Sequence, residues 1–210
     1  MTQWLKKKPI SFLNRIDLKN KSTEYKMAKF FIISGPSAVG KDSVVEGLKK
    51  EVKFTRVITT TTREPRQGEE NNVHYRFTSK KNFEDMIRKN KMIEYAKVYD
   101  NYYGQEKSQL DKALKGKTPV LMVIDQQGAL TYKKLYSELK VIFLIPPSLK
   151  ILEKRMRERK KDSEEVIKRR LSESRNELKN LKKWDYLVKN KENKLEEAIE
   201  QVKKIITSLE

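Results

Sequence analysis

The sequence contains no cysteine. That excludes disulfides and thiolate metal sites, and it suits a reducing compartment. Histidine is nearly as scarce: the single His74 cannot build a histidine metal centre. No apolar run approaches the ~18 residues that a membrane-spanning helix needs. The first 26 residues lack the unbroken apolar core of a secretory signal, and their seven basic and two acidic side chains do not make an Arg- and Ser-rich, acid-free transit peptide. They read as a poorly ordered or accessory extension, with Met27 as an alternative start. There is no internal repeat and no low-complexity linker. Acidic residues are also in deficit, 29 against 48 Lys plus Arg, for a formal net charge of +19. Such a balance predicts attraction to polyanions (nucleotides, nucleic acid or acidic membrane) without choosing among them.

What is present fits one α/β domain. The 210 residues are enough for a real core with a small inserted lobe. Lys29 to Ser34, "TPVLMVID" (118–125) and "KVIFLIP" (140–146) are continuous apolar runs. Strands covered on both faces by helices in a parallel sheet read this way. "YLVKN" (186–190) adds a last short strand. Residues 57–106 differ, with shorter segments of alternating polarity: Val57 to Thr62, Val73 to Phe77, a helix after Ser79, and two strands joined at Asp100-Asn101. Helices are expected over Asp42–Lys50 and from Ser148 to about Lys161. Another begins at an Asp162/Glu165 capping box, and a last one opens at Asn193 and Glu196.

The segment "FFIISGPSAVGKDSVVEGL" (30–48) places Gly35-x-x-x-x-Gly40-Lys41 between a strand and a helix. This is the phosphate-loop spacing. Successive backbone N–H groups from Gly35 through Pro36, Ser37, Ala38, Val39 and Gly40 can surround a phosphate (Pro36 itself has no N–H to offer). The following helix adds its positive end, and Lys41 a point charge. Asp42 stands where Ser or Thr normally ligates Mg²⁺. Two readings remain: Asp42 holds the metal through water, or it favours the helix N-terminus electrostatically while Ser43 or water serves the metal.

A second cluster, "TTTTREPRQGEENNVHYRF" (59–77), offers Arg63 and Arg66 three apart as guanidinium forks for a phosphate. Tyr75 and Tyr103 add hydroxyl donors. Asp125 ends an apolar strand, where open α/β sheets bind ligands.

Taken together, "SGPSAVGK", "TTREPRQGE", "YRF", "IEYA", "NYYG", "IDQQGA", "PPS" and "KRRL" resemble the guanylate kinases, in that family's order and spacing, over residues 29 to about 208. The resemblance implies a phosphate-loop core with a parallel sheet (27–56 and 107–208), a GMP-binding lobe (57–106) and a helical lid (about 155–170). It also implies the reaction ATP + GMP → ADP + GDP with Mg²⁺, in purine nucleotide metabolism. By matching positions, Arg63, Arg66, Tyr75 and Tyr103 hold the GMP phosphate, and Glu69 supports the arginines. Glu94 meets the guanine edge, with Thr59 and Gln105 nearby. Arg159 and Arg170 embrace the transferring phosphoryl group beside Lys41, with Arg155 a further basic candidate. Asp125 sits near GMP and the metal, and Asn190 near the adenine. Three positions depart from the pattern: Val123 replaces a first acid, Gln105 stands where Ser or Thr is common, and "RERKKDS" lacks a lid glycine.

Two other classes are weighed against the enzyme. A non-catalytic interaction domain of this fold usually loses the loop lysine and the GMP-site residues, which are retained here. A dedicated nucleic-acid binder needs basic residues clustered with aromatics, whereas these lysines are dispersed among acids. The expected location is cytoplasmic, with no membrane partner; monomer and homo-oligomer are both left open.

Overall fold

The computed structural model describes residues 28–66, 68–98, 100–158 and 163–208. The extension 1–26, Arg159 and the Asp162 cap lie outside the described residues. In chain order the elements begin with β1 (Phe30–Ser34), α1 (Lys41–Leu48), β2 (Thr55–Val57), β3 (Thr60–Thr61) and β4 (Arg76–Phe77). They continue with α2 (Lys80–Arg88), β5 (Met92–Val98), β6 (Asn101–Glu106), α3 (Lys107–Leu114), β7 (Val120–Val123) and α4 (Gln126–Leu135). The last are β8 (Lys140–Ile145), α5 (Leu149–Glu158), α6 (Glu164–Glu177), β9 (Tyr186–Lys189) and α7 (Leu195–Thr207).

The chain divides into two units, one of Ile58–Gly116 and a larger one of Ala28–Val57 with the chain from Lys117 onward. In the larger unit the strands form a parallel sheet in the order β2-β7-β1-β8-β9. The apolar runs occupy its centre, with every residue of β1 and Val141 to Leu144 of β8 buried. Val44, Val45 and Leu48 of α1 share the core cluster with Ala198, Val202 and Ile206 of α7. Each of the valine, leucine and isoleucine side chains contributes roughly 1.5–3 kcal/mol by leaving water, which holds α1 and the loop before it in place. Because all five strands point one way, the segments after β1, β7, β8 and β9 emerge at one edge of the sheet.

The smaller unit is a four-stranded sheet in the order β4-β3-β6-β5. Its β5–β6 hairpin holds a one-residue irregularity: Met92 pairs with Glu106, but Glu94 pairs with Gln105. Since strand side chains alternate between faces, this bulge moves Glu94 onto the face shared by Gln105 and Tyr103.

Several local expectations are corrected. Val57 to Thr62 is not one strand. β2 joins the parallel sheet, Ile58 leaves the ladder because its N–H donates to Gln109 Oε1, and β3 belongs to the smaller sheet. Val73 to Phe77 shrinks to β4, since the chain turns through Asn72, whose φ is +61°. The cap of α6 is Ser163, whose hydroxyl accepts from Val166 N–H, so the Asp162/Glu165 box gives way to a cap one residue later. Asn193 has φ +56° and lies in the turn before α7, which starts at Leu195 rather than at the expected Asn193. Helices α3 and α4 had no counterpart in the sequence reading.

Candidate active site

In the larger unit, the phosphate loop joins β1 to α1. Gly35 has φ +144°, and a Cβ there would lie 2.6 Å from the Leu144 carbonyl oxygen of β8. Gly40 has φ +99°, and its Cβ would lie 2.4 Å from Asn190 Nδ2. Both positions combine a left-handed backbone with no room for a side chain, which explains the glycine spacing. Ala38 between them is also left-handed, at φ +62°. Lys41 Nζ donates to the carbonyls of Gly35 (2.6 Å) and Pro36 (3.0 Å), so the ammonium is held against the loop.

The loop is braced from behind. Asn190, 4% exposed, donates from Nδ2 to the Val39 carbonyl at 2.8 Å, bridging 151 residues of sequence. Arg155 donates to the same carbonyl at 3.3 Å and to the carbonyls of Asn190 and Lys191. Its guanidinium is therefore engaged by main-chain oxygens. Arg170 on α6 reaches Ser37 Oγ at 3.4 Å. Ala38, Gly40, Ser43, Arg155, Asn190 and Lys191 line a cavity of about 510 Å³, within the range of small-molecule sites.

The two readings of Asp42 meet different surroundings. Its side chain is 66% exposed in the first turn of α1 and lies 3.6 Å from Arg56 Nη2. Ser43 lines the cavity. Asp125 caps α4, its Oδ1 accepting the Gly128 N–H at 2.8 Å. Among the described residues no group of three or more His, Asp or Glu side chains could hold a metal ion alone.

One group in this unit escaped the sequence reading. Glu177, at the end of α6, has a buried Oε2 without a hydrogen-bond partner. Burial pushes its carboxyl up to about 7; Lys41 and Lys183 oppose the rise, while Asp125 and Glu173 add to it. The available signal was spacing: Glu177 follows Arg170 by seven residues, two helical turns, and so lies on the same face of α6.

In the smaller unit, Glu69 organises the arginine cluster. Both its oxygens accept from Arg63 Nη2 (3.0 and 2.8 Å), and Oε2 also accepts the Arg66 N–H at 2.8 Å. Burial works against both charges. The Glu69 carboxylate nevertheless holds Arg63 above its ordinary value, with the Tyr103 phenol adding to this. Reciprocally, the Arg66 N–H and the Arg63 guanidinium hold Glu69 below the usual carboxylate range. The Arg63 guanidinium lies 5.4 Å from the Tyr75 ring centre, and the rings of Tyr75 and Tyr103 meet edge-on at 6.3 Å. Arg63, Glu69, Tyr75 and Tyr103 are thus one cluster, with the Arg66 side chain exposed beside it. Glu94 sits opposite Gln105 across β5 and β6, and the Thr59 carbonyl accepts the Arg76 N–H.

The guanylate kinase family profile matches residues 27–209. The chain belongs to the guanylate kinase family. It is 39% identical to the guanylate kinase of Rickettsia felis over 178 residues, covering 84% of this chain and 92% of that one. It is 45% identical to that of Hydrogenovibrio crunogenus over 161 residues, covering 76% and 78%. The crystal structure of guanylate kinase from Anaplasma phagocytophilum superposes with a TM-score of 0.71 at 24% identity, covering 88% of this chain and 87% of that one, a likeness of fold. Guanylate kinases are ATP:GMP phosphotransferases, and no helix among the described residues is long and apolar enough to cross a membrane.

Proposed function

We propose that the protein transfers the γ-phosphoryl group of ATP to GMP, and less efficiently to dGMP, giving ADP and GDP. What supports this reading is that each unit carries a cluster whose chemistry suits a phosphate: the glycine-bounded loop with Lys41 held against it in one, and Arg63, Glu69, Tyr75 and Tyr103 in the other.

Phosphoryl transfer asks little of side-chain acid–base chemistry. It needs in-line positioning and positive charge over the transferring oxygens. The loop amides and the α1 N-terminus cradle the donor phosphates. Lys41 exchanges its two loop carbonyls for phosphate oxygens. Arg170, already at Ser37, supplies charge, and Arg159 is assigned the same task. The cavity beside Asn190 takes the donor nucleoside. Arg63, held by Glu69, and Arg66 grip the GMP phosphate together with Tyr75 and Tyr103.

Glu94 reads the base. Guanine presents N1–H and N2–H₂ side by side, and one carboxylate accepts from both. Adenine lacks the N1–H and would leave Glu94 under-satisfied, which at best gives discrimination of ~10⁴ or more.

The donor set suits Mg²⁺, which keeps several waters and is bound through phosphates with one or two protein oxygens. Ser43 and, through water, Asp125 would hold it, while exposed Asp42 serves the helix end and Arg56. Bound there, it would neutralise charge on the phosphates.

A coupled assay of ADP release tests the reading with GMP, dGMP, AMP, UMP and dTMP as acceptors. GMP is expected to be turned over fastest and Lys41→Ala to abolish turnover. Equal rates with AMP would overturn the role of Glu94.

A further inference from the structure

We propose that Gln109 is a positioning residue for base selection, acting by fixing which end of the Gln105 amide serves the guanine. It deepens the GMP assignment and rests on Glu94 as the guanine carboxylate.

A glutamine amide can be turned over without changing its shape, and only its partners decide which end is N–H₂. Here the partners leave no choice. The Ile58 backbone N–H donates to Gln109 Oε1 at 2.6 Å. A main-chain N–H can only donate, so that atom of Gln109 must be its oxygen. The same oxygen lies 2.9 Å from Gln105, so the group facing it must be Nε2. Turning Gln105 over would set two acceptors against each other.

The orientation is kept although it leaves Gln105 Oε1 buried without a hydrogen-bond partner, in a residue only 1% exposed. Such an orphan acceptor ordinarily drives an amide to flip. The Ile58–Gln109 contact is what prevents it. Gln109 uses one Nε2 proton and leaves the other.

The remaining proton has a use in the proposed substrate. Gln105 is the direct cross-strand partner of Glu94, on the same face of the β5–β6 hairpin, so their Cβ atoms stand ~5 Å apart. Along the guanine edge, N2–H₂ and N1–H are followed at once by O6, an acceptor. With Glu94 on the first two, the neighbouring donor for O6 is Gln105 Nε2. A longer amide thus does the work of a hydroxyl at this position, provided something stops it from turning. Gln109, four residues on and in the first turn of α3, is that stop.

The test compares wild type, Gln109→Met and Gln109→Glu with GMP and with 6-thioguanosine 5′-monophosphate, whose sulfur is a poor acceptor but whose N1–H and N2–H₂ are intact. Gln109→Met is expected to raise KM for GMP about five- to tenfold, the worth of one hydrogen bond, with kcat nearly unchanged. Its KM for the thio analogue should move less than ~2-fold, because the contact to position 6 is weak from the start. Gln109→Glu accepts from both Ile58 and Gln105 and should restore the wild-type KM for GMP. Equal losses on both nucleotides would mean a general loosening of the smaller unit and would overturn the proposal. So would an unchanged KM for GMP. A wild-type chain inert on GMP would overturn the Glu94 reading and this one together, whereas an active wild type with equal losses would overturn this one alone.

Discussion

Glu177 makes a quantitative demand on stability. A carboxyl pushed from the usual 4.5 to about 7 corresponds to about 3 kcal/mol, at roughly 1.4 kcal/mol per pH unit. The sign follows from which state keeps its proton. Below about pH 4.5 Glu177 is protonated in both folded and unfolded chains, and the full stability is present. As pH rises from 4.5 to 7 the unfolded chain ionises first, while the folded chain retains the proton that burial favours. Stability therefore falls across that window and levels off above it. Glu177→Gln places a neutral amide in the same buried setting, facing Lys41, Lys183, Asp125 and Glu173, and removes this dependence. Urea unfolding of both proteins at pH 4, 5, 6, 7 and 8, followed by far-ultraviolet circular dichroism, isolates the one group because every other titration is shared. Near pH 4 the two midpoints should nearly coincide. At pH 8 the variant should be more stable by up to about 3 kcal/mol, a midpoint shift on the order of 1 M urea. A difference that stays constant from pH 4 to 8 would refute the reasoning, because burial would then not be setting the charge state.

Gly40→Ala should fail in both stability and turnover. Its methyl would sit 2.4 Å from Asn190 Nδ2 at φ +99°, adding left-handed strain of about 1–2 kcal/mol and displacing the amide that braces Val39. Thermal unfolding and ATP-dependent turnover read the two effects, and a variant with normal KM for ATP would contradict the bracing role. Asp42→Asn should leave most activity and change stability by less than about 1 kcal/mol, since the Asp42 side chain is largely exposed and its contact with Arg56 is long, at 3.6 Å. A many-fold higher Mg²⁺ requirement would instead place Asp42 in the metal shell.

The sequence by itself determined the central strands, the phosphate loop and the family. Long apolar runs have one way to escape water on both faces, and the loop's glycines, lysine and flanking strand and helix lie within a dozen residues. It also named Arg63 and Glu69 within one short stretch. Where adjacent residues chose between two sheets, local pattern was silent: Val57 and Thr60 look alike, yet Gln109 takes the N–H of Ile58 between them and the chain leaves one ladder for another.

Tertiary structure alone decided the rest. Asn190 reaches Val39 only because β1 and β9, with β8 between them, run parallel and end at one edge of the sheet. Glu94 shares a face with Gln105 only because a single bulge shifts the register. The charge state of Glu177 and the direction of the Gln105 amide depend on burial and on donors distant in sequence. No spacing rule encodes these, because they are set by which atoms the fold brings within about 3 Å of one another.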